Sequence, residues 1–370
     1  MSIDSITIRR LSVPMHQSYG SAHHRDFDEM ESTLVEITGE GEYGIGTADA
    51  TPGYSIQTHD EIVASLRDRL GPAVLEADPR TPNALLEVFA AVDQIPNAKC
   101  ALEVAFLDWY GTVHDQPLSE LLWGARRDRV PLNGWVGIDT PETMAEEARE
   151  WLADGYRSIK IKLSGDADTD VERVAAVCDA VCEEGMDVRA DVNQGYDVET
   201  AIEVAKRLED YPLTHLEQPV PKGDVDGLAR VTDSTSTVIM ADEAIQTAAD
   251  AFDILARGAA DRIKVKILRM GGVLGTRRVL EAAALADTTV VVGHGFGLSP
   301  ATAAEVTMTA THDAVFGAVE SVGPLKMAAE PFAGLTIENG YAELPTGSGH
   351  GVDVDRSALE EVTDETHTVS

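Results

Sequence analysis

The hydrophobic positions of the chain change their period near residue 130. Before that point, residues 3–13 and 32–38 alternate apolar and polar side chains, as strands do. Three later stretches carry the three-to-four-residue period of amphipathic helices: 57–70, 82–92 and 97–123. Strands followed by helices, without alternation between them, predict a small α+β domain over residues 1–125. The polar or glycine-rich segments 15–30 and 48–58 are predicted to be its loops.

A series of short apolar segments begins after residue 130. Eight of them, rich in β-branched side chains, are separated by helical patterns. They lie at 131–136, 157–162, 186–191, 213–217, 237–242, 261–266, 288–293 and 314–320. Strands that alternate with helices predict a TIM-type (β/α)8-like barrel of (β/α)7β form over residues 126–322. Residues 323–370 keep neither period. We expect them to return to the first domain, complete it, and end in an acidic tail that frays.

Charged side chains stand at the ends of five of these segments. Lys160 and Lys162 end the second segment, and Lys264 and Lys266 end the sixth. The third, fourth and fifth segments each end in a carboxylate: Asp191, Glu217 and Asp242. The step from one segment's charged end to the next is 24 to 29 residues, the length of one strand-plus-helix unit. Because the carboxyl ends of parallel barrel strands meet at one mouth, we expect these side chains to converge.

The three carboxylates predict a metal site. Like charges that meet without a cation repel one another strongly. Oxygen ligands without histidine or cysteine favour Mg²⁺, with Mn²⁺ as a substitute, over zinc. We therefore predict that Asp191, Glu217 and Asp242 bind a divalent cation. The alternative is that each acid forms a separate ion pair on the surface.

The two lysine pairs predict acid–base chemistry. Residues two apart on a strand point the same way, so each pair places two ammonium groups side by side. Such neighbours disfavour each other's protonation, so one amine can be neutral and act as a general base. The second and sixth strands lie across the mouth from each other, which places a base on either side of a metal-bound carboxylate substrate. The alternative is two ordinary lysine pairs at strand ends.

The charge of the chain is unusual. It carries 64 acidic and 29 basic residues, for a formal charge of −35, and only eight of the basic residues are lysines. Four of those eight form the two pairs, although arginine supplies most of the other positive charge. A surface so acidic and so poor in lysine fits a salt-rich cytoplasm, or an ordinary acidic enzyme. Nucleic acid is excluded as an expected partner because its phosphates would be repelled.

Other features concern the cellular compartment. The three cysteines have no neighbouring metal ligands, which indicates reduced thiols in the cytosol. The first residues lack the basic and apolar regions of a signal peptide, and no apolar run approaches the length of a membrane span. We expect a cytoplasmic homo-oligomer with no membrane partner.

The motifs at the strand ends resemble those of the enolase superfamily, specifically its muconate-lactonizing-enzyme subgroup. The matching runs are Lys160-Ile-Lys162, Asp191-Val-Asn193, Glu217-Gln-Pro219, Ala241-Asp242-Glu243, and Lys266 five residues before Gly271-Gly272. The resemblance implies that residues 1–125 form a capping domain and that segments 15–30 and 48–58 are mobile specificity loops. It further implies that Lys162 and Lys266 are the acid–base pair, with Lys160 assisting. The three carboxylates would hold Mg²⁺, and the metal would stabilise an enediolate, the mode of catalysis of this superfamily.

Departures from the subgroup's motifs bear on the substrate. The seventh strand ends in Gly293-His-Gly-Phe-Gly-Leu-Ser299, without the acid common in the subgroup. The eighth ends in Glu320-Ser-Val-Gly-Pro-Leu325, which resembles muconate cycloisomerases more than the Asp-x-Asp of dipeptide epimerases. We therefore favour a cycloisomerase-like enzyme that forms a lactone. A racemase or epimerase of an amino-acid derivative or dipeptide, and a dehydratase of acid sugars or hydroxy acids, stay open.

Six further residues are predicted to bind substrate: Lys264, Asn193, His294, Glu320, Tyr54 and His23. Some of them also have a purely structural interpretation. Lys264, for example, could pair with an acid of the barrel wall, and Tyr54 could pack beneath its loop. Two other functional classes were weighed. A barrel that only binds an anion has no need of three ligands and two bases, and a zinc hydrolase would place histidine among the ligands.

Overall fold

The computed structural model describes residues 1–370 except 22–23, 52–54, 93 and 294, and it also leaves the side chains of residues 18–27 undescribed. The described chain forms a parallel sheet curled into a barrel and an antiparallel sheet with helices that caps it. The mixed α/β class predicted from the sequence is confirmed. None of the described helices combines the length and the apolar character that a membrane span requires.

The cap is built on a four-stranded antiparallel sheet. Its strands are β1 (Ser5–Ser21), β2 (His24–Gly39), β3 (Glu42–Asp49) and, from the far end of the chain, β16 (Thr363–Val369), in the order β16-β1-β2-β3. Residues 15–21 and 24–30, predicted as loop, continue β1 and β2. The prediction was wrong because polar side chains do not prevent two long strands from pairing as a hairpin.

Five helices complete the cap. They are α1 (His59–Ser65), α2 (Gly71–Ala77), α3 (Pro82–Ala90), α4 (Pro96–Val113) and α5 (Leu118–Leu121), with a π-helical turn at Leu66–Leu70 joining α1 to α2. The long helix α4 lies directly on β3 because Gly44 and Gly46 have no side chains. A Cβ added at Gly44 would lie 2.1 Å from the Trp109 backbone nitrogen, and one at Gly46 2.2 Å from the Ala101 carbonyl oxygen.

Seven parallel strands form the barrel wall, in the order β11-β10-β9-β8-β7-β6-β5. They are β5 (Gly134–Val136), β6 (Ser158–Lys162), β7 (Asp187–Asp191), β8 (Leu213–Glu217), β9 (Ile239–Ala241), β10 (Arg262–Val265) and β11 (Thr289–Val292). The helices outside them are α6 (Pro141–Ala153), α7 (Ala167–Val181), α8 (Val198–Leu208), α9 (Val225–Ser234), α10 (Ala248–Arg257), α11 (Ile267–Met270), α12 (Val273–Leu285) and α13 (Ser299–Thr311). A 3₁₀ turn at Cys182–Glu184 follows α7.

The eighth predicted strand, 314–320, is not a regular strand. It joins its neighbours through single parallel bridges, Val315 to Val290 and Val319 to Leu132, and so lies between the first and last strands of the sheet. Gly317 has a φ of +53°, which interrupts the extended backbone. The buried guanidinium of Arg189 lies against this break and donates a hydrogen bond of 2.8 Å to the Ala318 carbonyl oxygen.

The end of the chain returns to both parts of the molecule. A 3₁₀ turn at Gly323–Lys326 precedes the short strands β12 (Phe332–Ala333), β13 (Ile337–Glu338), β14 (Tyr341–Glu343) and β15 (Asp353–Val354), and α14 (Arg356–Glu361) follows them. Strand β14 pairs with β4 (Arg129–Pro131), which directly precedes the first barrel strand along the chain. The acidic tail does not fray as predicted, because β16 pairs with β1 from Ile6 opposite Val369 onward.

A buried carboxyl joins the cap to the barrel. Glu103 of α4 lies against the amino terminus of α12, where it accepts a hydrogen bond of 3.2 Å from the Leu274 amide. Gly272, with a φ of +126°, makes room for it, since an added Cβ would lie 2.0 Å from Glu103 Oε2. Burial raises the pKa of Glu103 to about 8, although the amides of the helix terminus favour the ionised form.

Candidate active site

The four paired lysines at the barrel mouth lie at two depths. Lys160 and Lys162 lie on β6, and Lys264 lies on β10 with Lys266 directly after its end; the residues of each pair are two apart, so both side chains point inward, one deeper than the other. We call Lys160, Lys264 and Glu320 the inner tier, and Lys162 and Lys266 the outer tier. The carboxylates of Asp191, Glu217 and Asp242, predicted as metal ligands, lie between the tiers. The structure thus brings together all five residues at the centre of the prediction, and Glu320 with them.

Within the part of the chain that the structure describes, each outer lysine contacts one of the three central carboxylates. Lys162 Nζ lies 2.6 Å from Asp191 Oδ2 and donates a hydrogen bond of 2.7 Å to Asn193 Oδ1. Lys266 Nζ lies 2.9 Å from Asp242 Oδ2. Because β6 and β10 are separated by the three strands that carry the carboxylates, the two amines approach the centre of the mouth from opposite sides.

The inner tier is a buried ion-paired cluster. Glu320 accepts hydrogen bonds from both inner lysines, at 3.1 Å from Lys160 Nζ and in a short contact with Lys264 Nζ. Burial opposes the charged amine of Lys160, but the carboxylates around it, Asp191 foremost, outweigh burial and hold its pKa well above the usual value. The pKa of Lys264 is raised in the same way, chiefly by Glu217.

These shifts correct one step of the sequence-based reasoning. We expected neighbouring ammonium groups to lower each other's pKa, but the carboxylates decide the outcome for Lys160 and Lys264, which stay charged. Burial also opposes ionisation of Glu320, and the two ammonium groups outweigh it, so the pKa of Glu320 falls below its usual range. In the outer tier, burial, followed by the Arg269 guanidinium, lowers the pKa of Lys266 to about 8.

The three central carboxylates are bridged by lysines. Lys160 Nζ lies 2.8 Å from Asp191 Oδ2 and 2.8 Å from Glu217 Oε2. Lys264 Nζ lies 3.4 Å from Glu217 Oε1 and 3.5 Å from Asp242 Oδ2. Within the described residues, no three histidine, cysteine, aspartate or glutamate side chains are arranged to hold a metal ion directly.

The donor chemistry nevertheless fits a hard divalent cation. All three carboxylates are buried on adjacent strands. Among the described residues, Oε2 of Glu217 has no hydrogen-bond partner, although it is buried and forms an ion pair of 2.8 Å with Lys160 Nζ. Burial, followed by the neighbouring charge of Asp191, raises the pKa of Glu217 to about 8, and a cation among the carboxylates would favour its ionised form.

Three residues that position the carboxylates were not predicted. Arg269 of α11 donates a hydrogen bond of 2.7 Å to Asp242 Oδ1, and it is almost fully buried. Gln218 Oε1 accepts hydrogen bonds from the backbone amides of Asp242 and Ala244, at 2.9 and 3.0 Å. Glu243 accepts one of 2.9 Å from Asn193 Nδ2. Gln218 and Glu243 directly follow the predicted ligands Glu217 and Asp242, and this adjacency could have indicated a role in the site. Nothing in the sequence around Arg269 indicates one.

The turns after the strands have an unusual backbone. Asn193 and Gln218 have φ values of +47° and +38°, a left-handed conformation that non-glycine residues seldom adopt. At Asn193 this turn directs the backbone amide to Asp191 Oδ1, at 2.9 Å. Asn193 therefore contacts Asp191, Lys162 and Glu243 at once. It lies at the mouth as predicted, and a contact with substrate stays a prediction.

Three predicted substrate-binding residues cannot be compared with the structure. His23, Tyr54 and His294 lie outside the described residues. Lys264 and Glu320 lie in the inner tier, where they pair with each other. The alternative considered for Lys264, an ion pair with an acid of the barrel wall, therefore describes its contacts correctly.

Two family models match the chain. The model described as Mandelate racemase / muconate lactonizing enzyme, N-terminal domain, matches residues 4–123, and the one described as Enolase C-terminal domain-like matches residues 143–358. The chain belongs to the enolase superfamily. It is a member of the muconate-lactonizing-enzyme type, as the motifs predicted.

Relatives of this enolase-superfamily enzyme include isomerases of several kinds. It is 27% identical to the N-succinyl-L-Arg/Lys racemase of Bacillus cereus, over 98% of both chains, and the crystal structure of that racemase covers all of both chains with a TM-score of 0.95 at 25% identity. It is 32% identical to the L-Ala-D/L-Glu epimerase of Bacillus subtilis, over 79% of this chain and 81% of the epimerase. The muconate lactonizing enzyme of Pseudomonas fluorescens, solved with muconolactone, matches with a TM-score of 0.91 and 26% identity over 98% of this chain and 99% of that one.

Proposed function

We propose that this enzyme removes and returns the proton α to a substrate carboxylate, and that it racemises or epimerises an amino-acid derivative. The observation that carries the proposal is the placement of Lys162 and Lys266 on opposite sides of the mouth, with three carboxylates between them. A carbon whose proton must leave from one face and return to the other needs a base on each face. The likeness to racemases and epimerases supports the same reaction.

The chain's own residues have separable roles in this proposal. Asp191, Glu217 and Asp242 would hold a divalent cation, Mg²⁺ or Mn²⁺. When bound, the cation supplies positive charge that stabilises the electron pair left by the departing α-proton. One outer lysine takes the proton at its Nζ, and the other, protonated, gives a proton to the opposite face. Arg269 and Gln218 hold Asp242 in place, and Glu320 pairs with both inner amines.

Cycloisomerisation is the second candidate. The run Glu320-Ser-Val-Gly-Pro-Leu325 supports it, as does the likeness to muconate lactonizing enzyme. A lactonizing enzyme needs only one lysine as acid and base, and the other can act through its charge. Because both amines are present, the racemase is the candidate that uses the whole site.

Exchange of the α-hydrogen in deuterium oxide tests the shared step. The wild-type enzyme, supplied with Mg²⁺, is incubated with N-acyl amino acids, dipeptides and muconate, and deuterium incorporation and optical rotation are followed. We expect incorporation at the α-carbon together with loss of optical rotation for one amino-acid class. Lactone formation from muconate without racemisation would favour the second candidate, and no turnover of any carboxylate would overturn both. EDTA should stop the reaction, and Mg²⁺ or Mn²⁺ should restore it. Activity that does not change on chelation would contradict the proposed role of a metal ion.

We also propose that the enzyme works in a salt-rich cytoplasm. The formal charge of −35 and the presence of only eight lysines support this proposal. Assembly as a homo-oligomer stays a prediction.

A further inference from the structure

Three basic side chains lie inside the barrel near the end where its strands begin. Arg189 of β7 and His215 of β8 stand two residues before Asp191 and Glu217, so their side chains point into the same interior. Arg262 is the first residue of β10, and its guanidinium reaches His215. We call Arg189, His215 and Arg262 the base cluster. Barrel interiors are usually filled by branched apolar side chains, so this cluster departs from the usual packing.

The members of the base cluster contact one another and share one aromatic ring. Arg189 and His215 are partners in the register of β7 and β8. Arg262 Nη1 lies 3.2 Å from His215 Nδ1 and donates a hydrogen bond of 3.0 Å to the Thr214 carbonyl oxygen. The centre of the Phe316 ring lies 3.6 Å from Arg262 Cζ and 5.9 Å from Arg189 Cζ, within the range of cation–π contact. The three side chains therefore form one group.

The contact with Arg262 decides the roles of the two ring nitrogens of His215. A guanidinium only donates hydrogen bonds, so His215 Nδ1 is the acceptor and carries no proton. The proton of the neutral imidazole is then on Nε2, which makes this nitrogen a donor. His215 is fully buried, and its Nε2 has no hydrogen-bond partner among the residues that the structure describes.

The guanidinium of Arg189 also lacks acceptors. It is fully buried, and arginine stays protonated in proteins. Its Nη1 donates to the Ala318 carbonyl oxygen, but Nε and Nη2, which share one edge of the planar group, have no partner in the described part of the chain. Glu320 is the carboxylate that most favours this charge, and it already accepts hydrogen bonds from both inner lysines.

The three buried donors define the kind of group that would complete the cluster. They are Arg189 Nε, Arg189 Nη2 and His215 Nε2. A water molecule would accept some of these hydrogen bonds, but it would bring two hydrogens that need acceptors of their own. An anion only accepts. Its charge would also offset that of the guanidinium, and a buried charge without a counter-ion is costly.

A cavity at the base of the barrel gives a small ion access to the cluster. It has a volume of about 220 Å³ and is lined by Ser158, Gly317 and Ala318, among others. Gly317 is exposed and forms the wall next to Arg189, since an added Cβ at Gly317 would lie 3.2 Å from Arg189 Nη2. Because this wall is backbone without a side chain, it favours the passage of a small ion over that of a bulky one.

We propose that the base cluster is a binding site for a small monovalent anion, and that chloride is its ligand. The ion accepts hydrogen bonds from the edge of Arg189 formed by Nε and Nη2 and from His215 Nε2. It stabilises the folded barrel from beneath the active site and takes no part in proton transfer. The inference does not depend on the proposed function.

A chloride titration at constant ionic strength tests the site in solution. The thermal midpoint is measured while potassium chloride replaces potassium glutamate, from about 1 mM to about 1 M chloride, so that screening of the acidic surface stays the same. Arg189→Met removes the donors and keeps an unbranched side chain. His215→Asn keeps an acceptor for Arg262 and lacks Nε2. Arg149→Met removes an exposed guanidinium of α6 as the matched control.

We expect the midpoint of the wild type to rise by about 3 °C and to level off once chloride exceeds its Kd by about a hundredfold. Arg149→Met should show the same rise, whereas Arg189→Met and His215→Asn should lack it. A shift common to all four proteins reflects the exchange of glutamate for chloride in the solvent, and is subtracted. If Arg189→Met does not fold, His215→Asn carries the comparison.

Bromide locates the ion in the wild-type enzyme. Crystals are grown with sodium bromide in place of sodium chloride, and an anomalous difference map is calculated at the bromine absorption edge. We expect a peak in contact with both Arg189 and His215.

The two measurements together decide the inference. A peak at the base cluster with a saturable rise that His215→Asn lacks supports it. A peak there without that rise would show an adventitious ion only, and would overturn it. A saturable rise with the peak elsewhere, or an equal rise in His215→Asn, would place chloride at another site and overturn it. Neither a peak nor a rise would assign water to the three donors. None of these outcomes bears on the proposed function, which α-hydrogen exchange tests separately.

Discussion

The two tiers of the barrel mouth are built from the same residue type on the same strands, yet their chemistry differs. The inner lysines, Lys160 and Lys264, share Glu320 and have raised pKa values. In the outer tier, Lys266 contacts one carboxylate and has a guanidinium nearby, and its pKa is lowered to about 8. A displacement of two residues along a strand thus separates a fixed positive charge from an amine suited to proton transfer. Burial opposes the charged amine in both tiers; the surrounding carboxylates outweigh it at Lys160 and Lys264, whereas at Lys266 the Arg269 guanidinium adds to it.

The largest expected effect comes from removing an outer amine. Lys162→Ala and Lys266→Ala should each lower the kcat of racemisation by about 10³-fold or more, because a positioned acid or base contributes 10²–10⁴-fold. Each variant should still exchange the α-hydrogen of one enantiomer, and the two variants should differ in which. Deuterium incorporation into each pure enantiomer checks this. Full racemisation by either variant would contradict the two-base arrangement.

Removing the charge of the inner tier should act on stability. Glu320→Gln removes one of the two carboxylates that both buried inner ammonium groups contact, the other being Glu217. This loss should cost about 3 kcal/mol of the free energy of unfolding. Chemical denaturation monitored by fluorescence measures it. The exposed Glu360→Gln is the matched control, with an expected change within about 0.5 kcal/mol. A loss no larger than that of the control would show that Glu320 does not hold the inner tier together.

Glu103 sharpens the comparison, because it is a buried carboxyl held by backbone amides and not by lysines. Its folded pKa of about 8 lies above the usual value of 4.5. Between these values the unfolded state releases the proton while the folded state keeps it. Stability should therefore fall as pH rises from about 4.5 to about 8, by up to a few kcal/mol.

Denaturation across this pH range in the wild type and in Glu103→Gln measures the effect. The free energy of unfolding of the variant should not show this fall with pH. Compared with the wild type, the variant should therefore gain stability between pH 5 and pH 8. The contribution of Glu320 to stability should depend on pH in the opposite direction. Its pKa is lowered by folding, so its stabilising effect should be lost as pH falls. Equal slopes in wild type and Glu103→Gln would show that Glu103 ionises freely at the seam between cap and barrel.

The smallest expected effect concerns the surface. Lowering KCl from molar to 0.1 M concentration should reduce the thermal midpoint by a few degrees, because the mutual repulsion of the acidic residues is then less screened. Sucrose of equal osmolality is the control for a general solute effect. A midpoint that does not depend on salt would contradict the proposal of a salt-rich cytoplasm. It would have no bearing on the proposed roles of the lysines at the barrel mouth.

Much of the molecule could be predicted from its sequence, for identifiable reasons. The apolar alternation of the barrel strands located all seven regular strands, and the spacing of Asp191, Glu217 and Asp242 predicted that they would meet. The eighth strand was predicted as regular because its apolar residues resemble those of the others. Its irregularity depends on Gly317 and on a buried guanidinium from β7, which no pattern within residues 314–320 reveals.

The sequence by itself determined the barrel, the cap and the set of residues at the mouth, because hydrophobic period and strand length are local properties of the chain. Only the tertiary structure decided which lysines are locked in ion pairs, and that Arg269 and Gln218 hold Asp242. It also decided that the acidic tail pairs with β1. These properties depend on distances between residues far apart in the chain, and the pKa of a buried group is set by the charges that folding brings around it.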